Sequence, residues 1–113
     1  MLNQIILVGR LVKDPEIVES EDGKKWSNIT LAIPRSFKNV NGEYETDFID
    51  CTLWDAVAKS TVDYCKKGDV VGVRGRLQTD SYEKDGNKIF KLNVIAERIT
   101  FLSSKSKDDP DRE

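Results

Sequence analysis

The chain has 113 residues, with 18 Lys or Arg against 20 Asp or Glu and a formal net charge of -2; it is long enough for one core and too short for two. With no histidine and only Cys51 and Cys65 as thiols, a Ser-His-Asp or Cys-His arrangement is excluded and the usual zinc sites lack ligands, so no metal or cofactor is expected. The acidic balance argues against a surface coated in positive charge, although phosphates respond to the groove they touch rather than to the sum.

No apolar run approaches the roughly 18 residues of a membrane helix, and the N-terminus lacks the charged start and apolar stretch of a secretory signal. A cytoplasmic protein without membrane contact is expected.

Residues 3–12, Asn-Gln-Ile-Ile-Leu-Val-Gly-Arg-Leu-Val, read as a strand with apolar residues on both faces, one for the core and one for another subunit. Gly9 within the run predicts a bulge or sharp bend, as a small closed barrel requires. Asp14-Pro15 ends the strand, and the acidic segment through Asp22-Gly23 reads as a solvated turn. Trp26 to Ile33 alternates cleanly, with Ile29, Leu31 and Ile33 on one face and Trp26, Asn28, Thr30 and Ala32 on the other. Trp26 is expected to pack over a barrel rim or a neighbouring subunit rather than to extend a binding surface. Pro34 to Glu45, with an Asn41-Gly42 turn, is a hairpin connection carrying Arg35, Phe37 and Lys38. An aromatic between cations suits a ligand that is both flat and anionic; the alternative is a phenylalanine tucked under its own loop.

Thr46 to Trp54 is the most informative stretch. Side chains alternate across a strand, so Ile49, Cys51 and Leu53 make an ordinary core face while Phe48, Asp50, Thr52 and Trp54 share the other. Burying the second face would strand a carboxylate and a hydroxyl, so it is expected to meet something other than the protein's own core. Two aromatics there suggest stacking platforms for the bases of a single-stranded nucleic acid.

From Asp55 to Lys67 the period becomes helical, with Val57, Ala58, Thr61, Val62 and Cys65 as the buried stripe and Gly68 as the stop. Cys51 and Cys65 therefore read as buried free thiols. Val70 to Thr79 returns to period two, placing Val71, Val73 and Leu77 inward and Arg74, Arg76 and Gln78 outward. The arginines suit phosphate contact, or simply a solvated strand face. Tyr82 enters a polar hairpin with an Asp85-Gly86 turn, and residues 88–96 form the last main strand, with Phe90, Leu92 and Val94 inward and Lys91 and Asn93 outward. Lys84, Lys88 and Lys91 add positive charge near Tyr82. Arg98 to Leu102 predicts a short terminal strand, and the polar residues 103–113 a short disordered tail.

Three strands, a helix and two strands is the order of the five-stranded OB-fold barrel, all-β with one helix and here with two long hairpins. The chain over residues 1–102 resembles the bacterial-type single-stranded DNA-binding proteins. The residues that carry this resemblance run from Asn3 to Leu11 with Asp14-Pro15-Glu16, from Asn28 to Ala32, and from Lys67 to Leu77. It implies an OB-fold subunit of a homotetramer that wraps and protects single-stranded DNA during replication, recombination and repair, nucleoid-associated through that DNA. It places the base-stacking aromatics at Phe37, Phe48, Trp54 and Tyr82; from the residues themselves, Arg10, Arg35, Lys38, Arg74, Arg76, Lys84, Lys88 and Lys91 are the candidate phosphate contacts.

Asp55, Ala56, Gln78 and Asp80 stand where relatives commonly carry basic residues, so electrostatic affinity is expected to be lower than in a typical member. The family's acidic tip ending in an apolar pair has no match at Lys107 to Glu113, and recruitment of replication and repair proteins by the tail is not expected. One rival reading is a module whose aromatic face binds a polypeptide. Another is a metal-dependent nuclease, but its best carboxylate pair, Asp47 and Asp50, falls on opposite strand faces, so no catalytic activity is expected.

Overall fold

The computed structural model describes residues 1–104. Its strands are β1 (Ile5–Leu11), β2 (Val18–Glu19), β3 (Lys25–Lys38), β4 (Tyr44–Trp54), β5 (Val70–Lys84) and β6 (Asn87–Ser103), with one helix, α1 (Asp55–Tyr64), between β4 and β5. They form a single sheet in the order β1-β5-β6-β4-β3-β2, closed into a barrel by a further β1–β3 pairing. β4 and β6 run parallel through Cys51↔Val94 to Leu53↔Ala96, and the other pairings are antiparallel. This is the expected five-stranded OB barrel, with β2 a two-residue extension inside the segment read as a solvated turn.

Inward alternation builds the core. Ile29 and Leu31 of β3, Cys51 and Leu53 of β4, and Val71 and Val73 of β5 are all at most 1% exposed. Burial of such side chains stabilises by about 1.5–3 kcal/mol each relative to exposure. α1 covers one end with Ala58 and Thr61; its Thr61 hydroxyl donates to the Val57 carbonyl at 2.8 Å. The helix stops at Tyr64, three residues short of the expected end at Lys67. Competing hydrogen bonds take the following amides: the Asp69 carboxylate accepts from the Lys66 N–H at 2.8 Å and Asp14 from the Lys67 N–H at 2.7 Å.

Glycine shapes the barrel at two points. At Gly9, β1 passes from its β5 partner to β3, and a Cβ there would lie 2.8 Å from Ile33 Cγ1. The bend expected at Gly9 is therefore a close approach of two strands. At Gly75 any side chain would run into the Ile95 carbonyl. Register shifts beside it, from Arg74↔Arg98 to Gly75↔Ala96, so Glu97 is the extra residue of a bulge. That bulge keeps residues 98–102 in the same continuous β6 instead of a separate terminal strand. β6 also includes Ser103, paired with Val70, so the expected tail does not begin there; residues 105–113 lie outside those described.

Both hairpins extend past the barrel as paired strands. β3 and β4 remain paired out to Lys38↔Tyr44, with an irregularity after Pro34, so the expected hairpin connection is built from the two strands themselves. β5 and β6 pair to Lys84↔Asn87 around Asp85 and Gly86, whose φ values of 53° and 78° define a left-handed two-residue turn. This geometry corrects the reading of Phe90 and Leu92 as core. They share the inward phase of Val94 but sit on the projecting arm, and remain 65% and 64% exposed. Leu77, where the arm leaves the barrel, is also partly exposed.

Candidate nucleic-acid interface

The outer face of β3 and β4 carries four cross-strand pairs in sequence: Trp26↔Trp54, Asn28↔Thr52, Thr30↔Asp50 and Ala32↔Phe48. The two middle pairs satisfy one another. The Thr30 hydroxyl donates to Asp50 Oδ1 at 2.6 Å, and the Thr52 hydroxyl donates to Asn28 Oδ1 at 3.2 Å. The polar groups thus find partners without the face being buried, and Phe48 and Trp54 remain 65% and 42% exposed at its ends. Six residues of strand separate them by about 20 Å, so they offer two distinct platforms. Trp26 packs on Trp54 with ring centroids 5.6 Å apart and planes tilted by 43°, fixing the Trp54 ring from one side. Trp26 was expected to pack over a rim or a neighbouring subunit; it packs instead on the site's own aromatic.

Phe37 and Tyr82 are exposed on the two projecting arms, Phe37 near the end of β3 and Tyr82 on β5. A cleft of about 440 Å³ lies between β4 and the β5–β6 arm, lined by Phe48, Asp50, Leu77, Lys91, Leu92 and Asn93 among others. Phe90 continues the same arm face as Leu92, and the Lys88 ammonium sits 5.5 Å from its ring centre. Tyr44 is a further exposed aromatic, with Lys38 5.7 Å from its ring. Phe90 and Tyr44 are the site candidates the sequence reading passed over. The available signal was distance from the turn: residues that pair outward beyond the barrel cannot be core whatever their alternation.

The expected cations occupy unlike settings. Arg35 is clamped by Asp47 through two hydrogen bonds, at 2.9 and 3.1 Å, and by Glu45 at 3.3 Å. The Arg35 guanidinium, through hydrogen bonding first and charge second, holds the Asp47 carboxyl below the usual carboxylate range. Arg76 donates to Gln78 at 2.8 Å and lies 3.8 Å from Glu97. Arg10 donates to the Gly68 carbonyl at 2.7 Å, tying β1 to the turn after α1. Arg74 faces Ile6 and Arg98 across the sheet, in a shallow cleft that includes none of the four expected stacking aromatics. Among the described residues, Arg74, Lys84, Lys88 and Lys91 enter no ion pair.

Both cysteines are buried and free. Burial, with a smaller contribution from the Asp50 charge, pushes the Cys51 thiol up to about 11; burial also raises that of Cys65. They are inert core groups. Among the described residues no group of three or more Cys, Asp or Glu is placed to hold a metal ion, and no helix is long and apolar enough to cross a membrane.

A closed OB barrel with exposed aromatics on one sheet face and two projecting arms that carry both aromatics and cations defines a class of binding module. Residues 2–102 match the Single-strand binding protein family, and the chain belongs to that family. It is 45% identical over 109 residues to Single-stranded DNA-binding protein B of Bacillus subtilis, covering 96% of each chain. It is 44% identical to Single-stranded DNA-binding protein 2 of Listeria monocytogenes, over 94% of this chain and 67% of that one. Its fold is similar to that of a deletion mutant of the single-stranded DNA binding protein from Thermus aquaticus, with a TM-score of 0.75 and 30% identity, over 90% of this chain and 51% of that one. Family members act by binding and not by catalysis.

Proposed function

We propose that this protein binds single-stranded DNA with little dependence on sequence, using the domain at residues 1–102, and protects unpaired strands during replication, recombination and repair. The observation that carries this reading is the β3–β4 outer face, where two exposed aromatics flank polar groups that have already satisfied one another. Every base has a flat face, so stacking on Phe48 and Trp54 is tolerant of sequence and contributes roughly 1–3 kcal/mol per base. Phe37 and Tyr82 extend the surface from the arms, and Phe90 joins them on the β5–β6 arm. Lys84, Lys88, Lys91 and Lys38 take phosphates, releasing counterions. Arg35, Arg76 and Arg10 must first give up the partners that now hold them, and Arg74 reaches phosphate only where the strand wraps the opposite wall.

That opposite wall supports assembly. Ile6 and Val8 of β1 are 69% and 52% exposed beside Leu102, which lies over Gly72. Scattered exposed apolar residues are ordinary, but a contiguous patch on a barrel wall suits a subunit interface. The family likeness makes a homotetramer the assembly expected from it. Light scattering should report a mass four times that of the chain, and Val8→Glu should reduce it; a wild-type monomer contradicts the assembly.

Competition between an unpaired oligonucleotide and its duplex tests the function itself. The unpaired strand should bind far more tightly, because duplex bases are already stacked. Equal binding to both overturns the reading.

A further inference from the structure

Asp50 sits two residues from Phe48 on the same strand face, so its carboxylate lies about 7 Å along the strand from the stacking ring. Thr30 donates to Oδ1 at 2.6 Å, which fixes the carboxylate in place. Among the described residues, no donor is assigned to Oδ2. Phe48 and Asp50 both line the cleft of about 440 Å³ beneath the β5–β6 arm, whose walls are largely the apolar side chains of Ile5, Leu7, Leu92 and Val94. Of the other polar residues there, Asn93 gives an amide hydrogen to Asp80 on the arm, and Lys91 carries only donors. Asp50 is the one carboxylate lining this apolar cleft.

A carboxylate beside a stacking ring repels phosphate but accepts hydrogen bonds from a base edge. We propose that this cleft receives one nucleobase of the bound strand, stacked on Phe48 with its amino edge turned to Asp50, and that the protein consequently favours cytosine over uracil or thymine. Cytosine presents an N4 amino donor where uracil and thymine present the O4 acceptor. Facing a fixed carboxylate, the first makes a charge-assisted hydrogen bond and the second sets two acceptors against each other. The inference rests on the single-strand reading above, and adds base selectivity at one subsite of a surface that otherwise reads no sequence.

Oligo-dC and oligo-dU of equal length compare two bases that share a size, a sugar and the absence of a methyl group. At neutral pH the wild-type protein should bind oligo-dC about fivefold more tightly, the effect of one hydrogen bond partly open to water. Asp50→Asn retains an acceptor for Thr30 and supplies an amide donor for uracil O4, so it should bring the two affinities to parity. Substituting N4,N4-dimethylcytosine, which has no amino hydrogen to give, should remove the preference with the wild-type protein, independently of how any variant folds. Parity of oligo-dC and oligo-dU in the wild type, or an undiminished preference in Asp50→Asn, overturns the proposal. If the wild type binds neither strand, the single-strand reading itself fails, and base selection with it.

Discussion

The two arms that project from the barrel carry similar numbers of cations and use them differently. On the β3–β4 arm, Arg35 is neutralised by Asp47 and Glu45, and Lys38 lies over Tyr44. On the β5–β6 arm, Lys84 and Lys91 enter no ion pair among the described residues, and Lys88 reaches only the ring of Phe90. Charge written in a sequence is therefore not charge available to a ligand. A guanidinium held in two hydrogen bonds by its own arm must exchange them for phosphate, with little net gain, whereas an unpaired ammonium displaces only water. Under the proposed function, the β3–β4 side supplies base platforms and the β5–β6 side adds the salt-dependent attraction.

The largest effect should come from the stacking platforms. Trp54→Ala or Phe48→Ala should each weaken oligo-dT binding by on the order of 1–3 kcal/mol with the fold retained, because neither ring belongs to the buried core. Wild-type affinity in a folded variant would remove that ring from the site. Next, replacing Lys84, Lys88 and Lys91 together by Ala should make the log-log salt dependence of binding shallower by roughly 2, the effect of three phosphate contacts on a single strand. An unchanged slope would assign these lysines to solvent alone.

Smaller effects probe the clamped arm. Asp47→Asn together with Glu45→Gln releases Arg35 and should steepen the salt slope by up to roughly 0.7; Arg35→Ala should leave the wild-type slope almost as it is. A large loss of slope in Arg35→Ala would show that the clamp opens on binding and that the arms are not so different. The smallest effect concerns the core behind the aromatic face. Since burial raises the Cys51 thiol, the folded state keeps a proton that the unfolded chain loses above about pH 8.5. Stability should fall as pH rises from there toward the folded value, and Cys51→Ala should remove that part of the slope in denaturant titrations at pH 8 and pH 10.

Alternation made most of the barrel legible. Ile29, Leu31, Cys51, Leu53, Val71 and Val73 form the core in the phase their spacing implies, and Phe48 and Trp54 stand out because they share a face with Asp50. The same rule misplaced Phe90 and Leu92, since period two reports a face and not whether a strand still belongs to the barrel. Helix length was overread at Lys66 and Lys67 because the side chains that take their amides, Asp69 and Asp14, are respectively just past the helix and distant in sequence. Trp26 illustrates the same limit: its pairing with Trp54 depends on the β3–β4 register, which one strand alone does not specify. The pairing of Arg35 with Asp47 is equally a product of register across a hairpin. Local chemistry was readable wherever it depended on one strand, and unreadable where it depended on two.

Stacking on Trp54 is the central claim, and fluorescence tests it directly. Trp26 and Trp54 are the only tryptophans among the 113 residues, so Trp26→Phe leaves a single reporter while keeping an aromatic against it. Addition of oligo-dT should strongly quench the remaining emission, saturably and with a midpoint close to that of wild-type binding. Saturable binding measured by an independent method, with no change in Trp54 emission, would contradict the account.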